Sequence, residues 1–459
     1  MKVLFISAAF PPLRTGEADH SLHLCQRLAD RGETVHVLTT KGCNDTSHLP
    51  FTVHPLMSDW SWTELPRFVR FIKQCSPDAV LLFYIGWVYN YHPMITFVPT
   101  ICRRLLPGCR FVTMIPFPMG SQNERFSFTS RAIRKAMKWW FIPGGVDWAY
   151  GTVLRDSEAL IFMSDRHRRI LSERNPAVEK KGVIIPAPPL LTMTSAKDEV
   201  TREQTRARLG LTSSHFVLVY FGYIYPYKGI ETLLKAFHLV SQDRSWVRLV
   251  LVGGVHADAY ATRPRFAEEM RELPKQLGLD EKVIWTGEFA ADSDEASRYL
   301  YASDTCVFSH DTGLYLNNSS FAAAAAHGLP IVATQGSFVE EPFVDGQNLV
   351  FCQPKSPESM AAAIRRVVDD QELRRCIAKG ALKLAAEWYS WEKATDRTIE
   401  TFCTNSSTNH PSTGLRKLGY QPQAPASALS GRRVYGAADA PSEASQSPPS
   451  GATVSQPGE

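Results

Sequence analysis

The sequence predicts an α/β protein built from two Rossmann-like domains whose parallel sheets face a central cleft. Three observations predict it. Short apolar runs alternate with helix-patterned segments from residue 2 to residue 403, as in repeated βαβ units. The strand-like runs are almost continuously apolar, as expected of strands covered by helices on both faces. The alternation comes as two series joined by the proline-rich stretch "GVIIPAPPLL" at 182–191, and 459 residues leave room for two or three ordinary domains.

The first domain is expected over residues 1–192. It opens with the apolar run "KVLFISA" (2–8), read as a strand. In "SLHLCQRLADRG" (21–32), Leu22, Cys25, Leu28 and Ala29 recur at helical spacing and Gly32 supplies a stop. "TVHVLTT" (34–40), "DAVLLFYI" (78–85), "RFVTMI" (110–115) and "ALIFMS" (159–164) continue the strands. The second domain is expected over 193–385. A polar helix, "KDEVTREQTRARLGL" (197–211), leads into strands at 216–222, 247–254, 282–288, 305–309, 330–334 and 348–352. Helices fall between them, at 229–240 and 357–370 for example, and 373–403 reads as one long helical stretch. Its end, 386–403, is expected to cross back to the first domain. From Thr404 onward Ser, Pro, Gly, Ala and Gln dominate, which predicts a disordered tail over 404–459.

Composition narrows the partners. A formal net charge of +4 gives no argument for nucleic acid, and none is predicted. Between 101 and 140, however, eight Arg or Lys stand against one acid, Glu124. Within that region "SRAIRKAMKWWFIP" (130–143) runs from basic residues into Trp139, Trp140 and Phe141. Two readings stay open for it: peripheral contact with a membrane surface, and packing of the aromatics between domains. The nine cysteines are dispersed, without a C-x-x-C pair or zinc spacing, so no metal is predicted and reduced thiols in the cytoplasm are expected. The uncharged stretch 79–102 is broken by Asn90, His92, Pro93 and Pro99, and reads as a strand and a second apolar element, not as a membrane span.

Three glycine-containing turns follow strands: "PPLRTGEADH" (11–20), "GYIYPYKG" (222–229) and "GGVHADAY" (253–260). None is a G-x-G-x-x-G or a Walker loop, which argues against a dinucleotide or P-loop site. Each can still bring backbone N–H groups to a phosphate. Lys228 stands just before Gly229 at a helix start, a placement that suits a diphosphate. His310 and Asp311 end a strand in the second domain, where open parallel sheets hold ligands. In "SHDTGLYLNNSSFAAAAAHGLPIVATQG" (309–336) the alanines read as a helix capped by Asn318, Ser319 or Ser320.

Read together, the segments resemble the retaining glycosyltransferases of family 4, which have the GT-B fold. "FPPLRTGEADHSLHLCQRLADRGETVHVLT" is similar to that family's first strand–loop–helix–strand unit. "YFGYIYPYKGIETLLKAF" resembles the element that opens its donor domain. "AHGLPIVATQGSFVEEPFVDGQNLVFCQPKSPESMAAAI" resembles the end of that domain, including Gly328, Pro330, Glu340, Asp345, Gly346 and Asn348. The resemblance implies transfer of a sugar from a nucleotide-diphosphate sugar to a glycan or lipid-linked saccharide, with retention and no cofactor besides the co-substrate. Carried over by position, Gly16 would line the donor phosphates, Gly222 would form the tight turn, and Lys228 would bind the diphosphate. Gly287 and Glu288 would sit near the nucleobase. Gly313, Asn317, Asn318, Ser319 and Ser320 fall in a loop similar to the one some branches use at the donor. His20 matches a His common in the family's first helix, and with Asp311 and Lys228 it completes the expected catalytic set.

Three departures from the family stand out. Tyr223 stands where the family has Arg. Tyr315 and Ala323 occupy the places of its paired glutamates, and "TMIPFPMGS" lacks its acceptor-side His. Each lost charged hydrogen bond is worth about 1.5–3 kcal/mol, which predicts slowed transfer. A non-catalytic GT-B partner subunit or glycan-binding module, or a sugar-nucleotide epimerase, is therefore kept as an alternative.

Overall fold

The computed structural model describes residues 1–13, 15–42, 46–118, 146–147, 149–194, 198–256, 259, 263–290 and 293–403. The basic–aromatic stretch 130–143 and the tail from 404 lie outside the described residues.

Seven strands form the first sheet: β1 (Lys2–Ile6), β2 (Thr34–Thr40), β3 (Thr52–Met57), β4 (Ala79–Phe83), β5 (Arg110–Ile115), β6 (Ala159–Phe162) and β7 (Gly182–Ile184). Their order is β3-β2-β1-β4-β5-β6-β7, parallel throughout. Six strands form the second: β8 (Phe216–Phe221), β9 (Val247–Val252), β10 (Val283–Gly287), β11 (Thr305–Phe308), β12 (Ile331–Thr334) and β13 (Val350–Cys352). Their order, β10-β9-β8-β11-β12-β13, is also parallel. The two sheets thus repeat one doubly wound plan, as the sequence predicts. Strand order reverses between β1 and β4 and again between β8 and β11.

Burial explains the apolar runs. In β1, Leu4 and Ile6 enter one core while Val3 and Phe5 enter the other, and all four are fully buried. β8 divides in the same way, Leu218 and Tyr220 against Val217 and Val219. The strand missed by the sequence pattern is β3, "TVHPLM". It lies at the sheet edge, half buried, and Pro55 interrupts its apolar pattern, a residue that edge strands tolerate. β7 likewise occupies the start of the stretch read as a connector.

Two helices differ from expectation at their ends. The first helix runs Gly16–Asp30, five residues earlier than its apolar periodicity, because its first turn is polar and Thr15 caps it by accepting the Ala18 N–H at 3.2 Å. The stretch 373–403 is two helices, Gln371–Trp388 and Trp391–Cys403, and Ser390 Oγ accepts the Lys393 N–H at the break. The last helix packs on the first domain. Trp391 Nε1 donates to Pro189 O at 2.9 Å, Arg110 Nε donates to Thr401 O at 2.6 Å, and Arg31 pairs with Asp396.

The alanine helix spans Ser319–Ala326 with Asn318 as its cap. Ala322 to Ala325 are fully buried and share a core with Ala381, Leu384 and Ala385 of the Gln371–Trp388 helix. Small side chains on both surfaces let the two helices approach closely. Among the described residues, no helix is long and apolar enough to cross a membrane.

Candidate functional site

The reversal between β8 and β11 gathers most of the expected residues. The loop after β8 turns at Gly222, with φ of 132°, and its N–H donates to Val252 O. A Cβ there would lie 2.9 Å from Ser320 Oγ, so this turn rests against the alanine helix. At the other end of the loop Gly229 has φ of 68° and caps the Ile230–Asp243 helix. A Cβ on it would meet Ser309 O at 1.8 Å. Only glycine satisfies both the left-handed backbone and that contact. Tyr227 is also left-handed, φ 76°, and is held by Asp311, whose N–H donates to its carbonyl at 3.0 Å. Ser309 Oγ donates to Lys228 O at 2.7 Å. The two loops are therefore stitched together along their backbones.

Lys228 comes out of this seam with its Nζ 3.1 Å from His310 Nε2 and 5.0 Å from the centre of the Tyr225 ring. The same imidazole nitrogen lies 3.2 Å from Asn318 Nδ2. Asn318 Oδ1 accepts the Phe321 N–H at 2.8 Å as the helix cap, which fixes the amide so that its NH2 faces His310. The first intrahelical acceptor bond is Ala322 N–H to Asn318 O. The N–H groups of Ser319 and Ser320 thus have no partner within the helix, at the end that carries about half a positive charge. Burial, and next the Lys228 charge, hold the His310 imidazole well below its ordinary pKa, so it is a neutral ring. Asp311 is partly exposed and its carboxyl is raised, first by burial.

Gly287 ends β10, two strands along, and Glu288 follows it. Gly287 bridges to Gly253, and the Glu288 side chain fills the space over Gly254, where a Cβ would lie 2.0 Å from Glu288 Cγ. The loops after β8, β9 and β10 therefore form one continuous edge. Gly313 serves packing: a Cβ there would meet Gly336 Cα at 2.2 Å. Asn317 is partly exposed beside the capped helix end.

The first domain places its candidates differently. Gly16 is the first residue of its helix, and a Cβ on it would lie 3.9 Å from the nearest neighbour, Leu190. His20 does not reach open solvent. The residue is 5% exposed, its ring stacked on Phe83 at 5.6 Å and tilted against Trp391 at 5.4 Å, and neither nitrogen has a hydrogen-bond partner. Burial, then the neighbouring His23, lowers its pKa to about 3. Sequence reasoning could not see this, because Trp391 arrives from the far end of the chain. Asp19 beside it is raised to about 6, mainly by burial and then by Glu17.

Sequence reading kept Glu340 only as a point of resemblance, yet it joins the domains. It is 1% exposed, and its Oε1 accepts from Ser164 Oγ at 2.7 Å and the Arg166 N–H at 2.8 Å. Its Oε2 accepts the Leu316 N–H at 2.6 Å. The carboxyl end of β6 is thereby tied to the loops after β11 and β12. Tyr315 supports the same contact, with the Arg166 guanidinium 4.9 Å from its ring centre. Ala323 is buried in the helix, so neither position presents an acid. No cluster of three potential metal ligands occurs among the described residues, and the eight described cysteines are free thiols.

Comparison with known proteins agrees with this architecture. Residues 215–370 match the family model described as glycosyl transferases group 1. A lipopolysaccharide 1,2-N-acetylglucosaminetransferase of Salmonella typhimurium is 27% identical over 197 residues, 43% of this chain and 50% of that protein. A D-inositol 3-phosphate glycosyltransferase of Kineococcus radiotolerans is 26% identical over 266 residues, 54% of this chain and 58% of its own. The chain thus spans about half the length of the curated relatives it matches. Among solved structures, Anabaena Alr3699/HepE in complex with UDP aligns at a TM-score of 0.66 with 16% identity, covering 88% of this chain and 100% of that one. The second domain carries the match to group 1 glycosyl transferases, and the chain as a whole has the GT-B fold of two facing Rossmann-like domains.

Proposed function

We propose that the protein is a glycosyltransferase that moves a sugar from a nucleotide-diphosphate sugar to a glycan or lipid-linked acceptor, with retention at the anomeric carbon. The observation that carries this reading is the convergence of Lys228 and the Asn318-capped helix end on the β8/β11 reversal. When the bond between the anomeric carbon and the diphosphate breaks, negative charge grows on the departing oxygen. An ammonium and two unengaged N–H groups stabilise that charge more than they stabilise the bound ground state. UDP in the Anabaena neighbour and the sugar transfers named for the relatives support the donor class and the acceptor class. Gly287 and Glu288 sit on the same edge, where a nucleobase would extend from the diphosphate. A cytoplasmic location with peripheral membrane contact belongs to this reading.

Differential scanning fluorimetry with UDP, GDP and ADP at millimolar concentration should raise the melting temperature with one of them by mass action. Incubation with nucleotide-sugars and mass spectrometry should then show free nucleoside diphosphate and a sugar on the acceptor. Absence of any shift would count against the reading. Tyr315 and Ala323, standing where acids would be expected, favour one competing reading, a non-catalytic glycan-binding or partner subunit. Nucleotide binding without turnover of any sugar nucleotide would support that reading instead.

A further inference from the structure

The His310 ring sits between the two groups that face the expected diphosphate. Its Nε2 receives Lys228 Nζ at 3.1 Å and Asn318 Nδ2 at 3.2 Å. Both partners are donors, since an ammonium has no lone pair and the cap bond to Phe321 turns the Asn318 oxygen away. Nε2 must then be the acceptor and the ring proton must lie on Nδ1, which is buried without a hydrogen-bond partner. The ring is held by stacking on Phe308, centres 6.0 Å apart. An Nδ1–H tautomer with a desolvated, unsatisfied proton is a costly arrangement for a residue that only fills space. A Phe or Leu would fill the volume without it.

We propose that His310 is a positioning residue for diphosphate binding: its unprotonated Nε2 holds the Lys228 ammonium and the Asn318 cap in one fixed relation. The inference rests on the donor site proposed above. Lys228 has three N–H donors. One is directed to His310 and one side of the ammonium lies against the Tyr225 ring, which leaves a donor for phosphate oxygen. The Asn318 contact keeps the helix end in register with that donor. A single acceptor therefore couples the side-chain cation to the backbone N–H groups, and a ligand that meets both binds a preorganised pair. A second phosphate gains from this arrangement, so the contribution should appear as preference for a nucleoside diphosphate over the monophosphate of the same base.

The test compares UDP with UMP, GDP with GMP and ADP with AMP on the full chain by isothermal titration calorimetry. His310→Phe keeps a flat ring and removes the acceptor; His310→Gln keeps an acceptor oxygen within reach. For the pair that the unaltered protein binds, His310→Phe should reduce the diphosphate-over-monophosphate preference about tenfold, the loss of one charge-assisted contact. His310→Gln should restore most of it, and in Lys228→Met the same His310→Phe change should have little further effect. Equal losses for diphosphate and monophosphate, or an unchanged ratio in a folded His310→Phe protein, would overturn the inference and leave the donor site standing. If the unaltered protein binds no diphosphate, both the site and the inference fall together.

Discussion

The two strand-order reversals of this molecule occupy equivalent places in equivalent sheets, yet they are furnished in opposite ways. At β1/β4 the histidine on the following helix is sealed between Phe83 and Trp391. At β8/β11 a lysine, a histidine, an asparagine and a helix end meet through hydrogen bonds. A doubly wound sheet dictates where a ligand can sit and says nothing about which of two reversals will be polar enough to hold charge. The side chains that arrive from outside the βαβ unit decide that. Trp391 closes one reversal, and the 309–318 loop with the helix end it caps equips the other.

The largest effect expected from breaking this contrast is at Gly229. Gly229→Ala would place a Cβ 1.8 Å from Ser309 O on a left-handed backbone and force the two loops of the second reversal apart. A loss of more than about 3 kcal/mol in urea unfolding is expected, together with loss of nucleotide binding. A variant as stable as the original, with binding intact, would mean that the seam between these loops does not shape the site.

Next in size is the tie between the two domains. Glu340→Ala leaves Ser164 Oγ and the N–H groups of Arg166 and Leu316 without their buried acceptor. We expect a loss of about 2–4 kcal/mol, since unpaired buried donors each cost about 1–3 kcal/mol. Chemical denaturation followed by tryptophan fluorescence measures it, and a change under about 0.5 kcal/mol would show that the domains do not depend on this carboxylate.

The sealed histidine supplies a pH signature. His20 has a folded pKa lowered to about 3 by burial, against an ordinary value of 6.5. Between those values the unfolded chain binds the proton and the folded one does not. Stability is therefore full above pH 6.5 and falls as the pH drops toward 3. His20→Phe should flatten that acid limb in urea titrations at pH 4 and 7. An unchanged slope would mean that His20 is solvated and that the contrast between the reversals is weaker than described.

Much of this was legible in sequence and some could not be. Continuous apolar runs located β8, β9, β11 and β12, because those central strands are covered on both faces; shorter apolar runs sufficed for the edge strands β10 and β13. β3 escaped because an edge strand bearing Pro55 has no such run. Asn318 was readable as a cap because capping is local. His310 and Lys228 lie 82 residues apart, so their contact depends on strand order, which local periodicity does not encode. Glu340 was visible as an acid in a loop, but its partners at 164 and 166 belong to the other domain. The enclosure of His20 follows from where the last helix docks, and only the folded chain shows it.

The smallest expected change sharpens the comparison most. Gly16 occupies the helix start at the first reversal, as Gly229 does at the second, but a Cβ on it would meet only Leu190 at 3.9 Å. Gly16→Ala should thus alter unfolding stability by no more than about 0.5 kcal/mol. If the N–H groups of this helix end also face donor phosphates across the cleft, the added methyl should raise the KM for the sugar nucleotide severalfold while leaving stability untouched. If KM stays constant, the first reversal contributes nothing to the proposed donor site, which then draws on the second domain alone. Because Gly229 cannot be changed without loosening the fold, Gly16 is the position where binding and folding separate cleanly, and its KM decides whether one reversal or two hold the ligand.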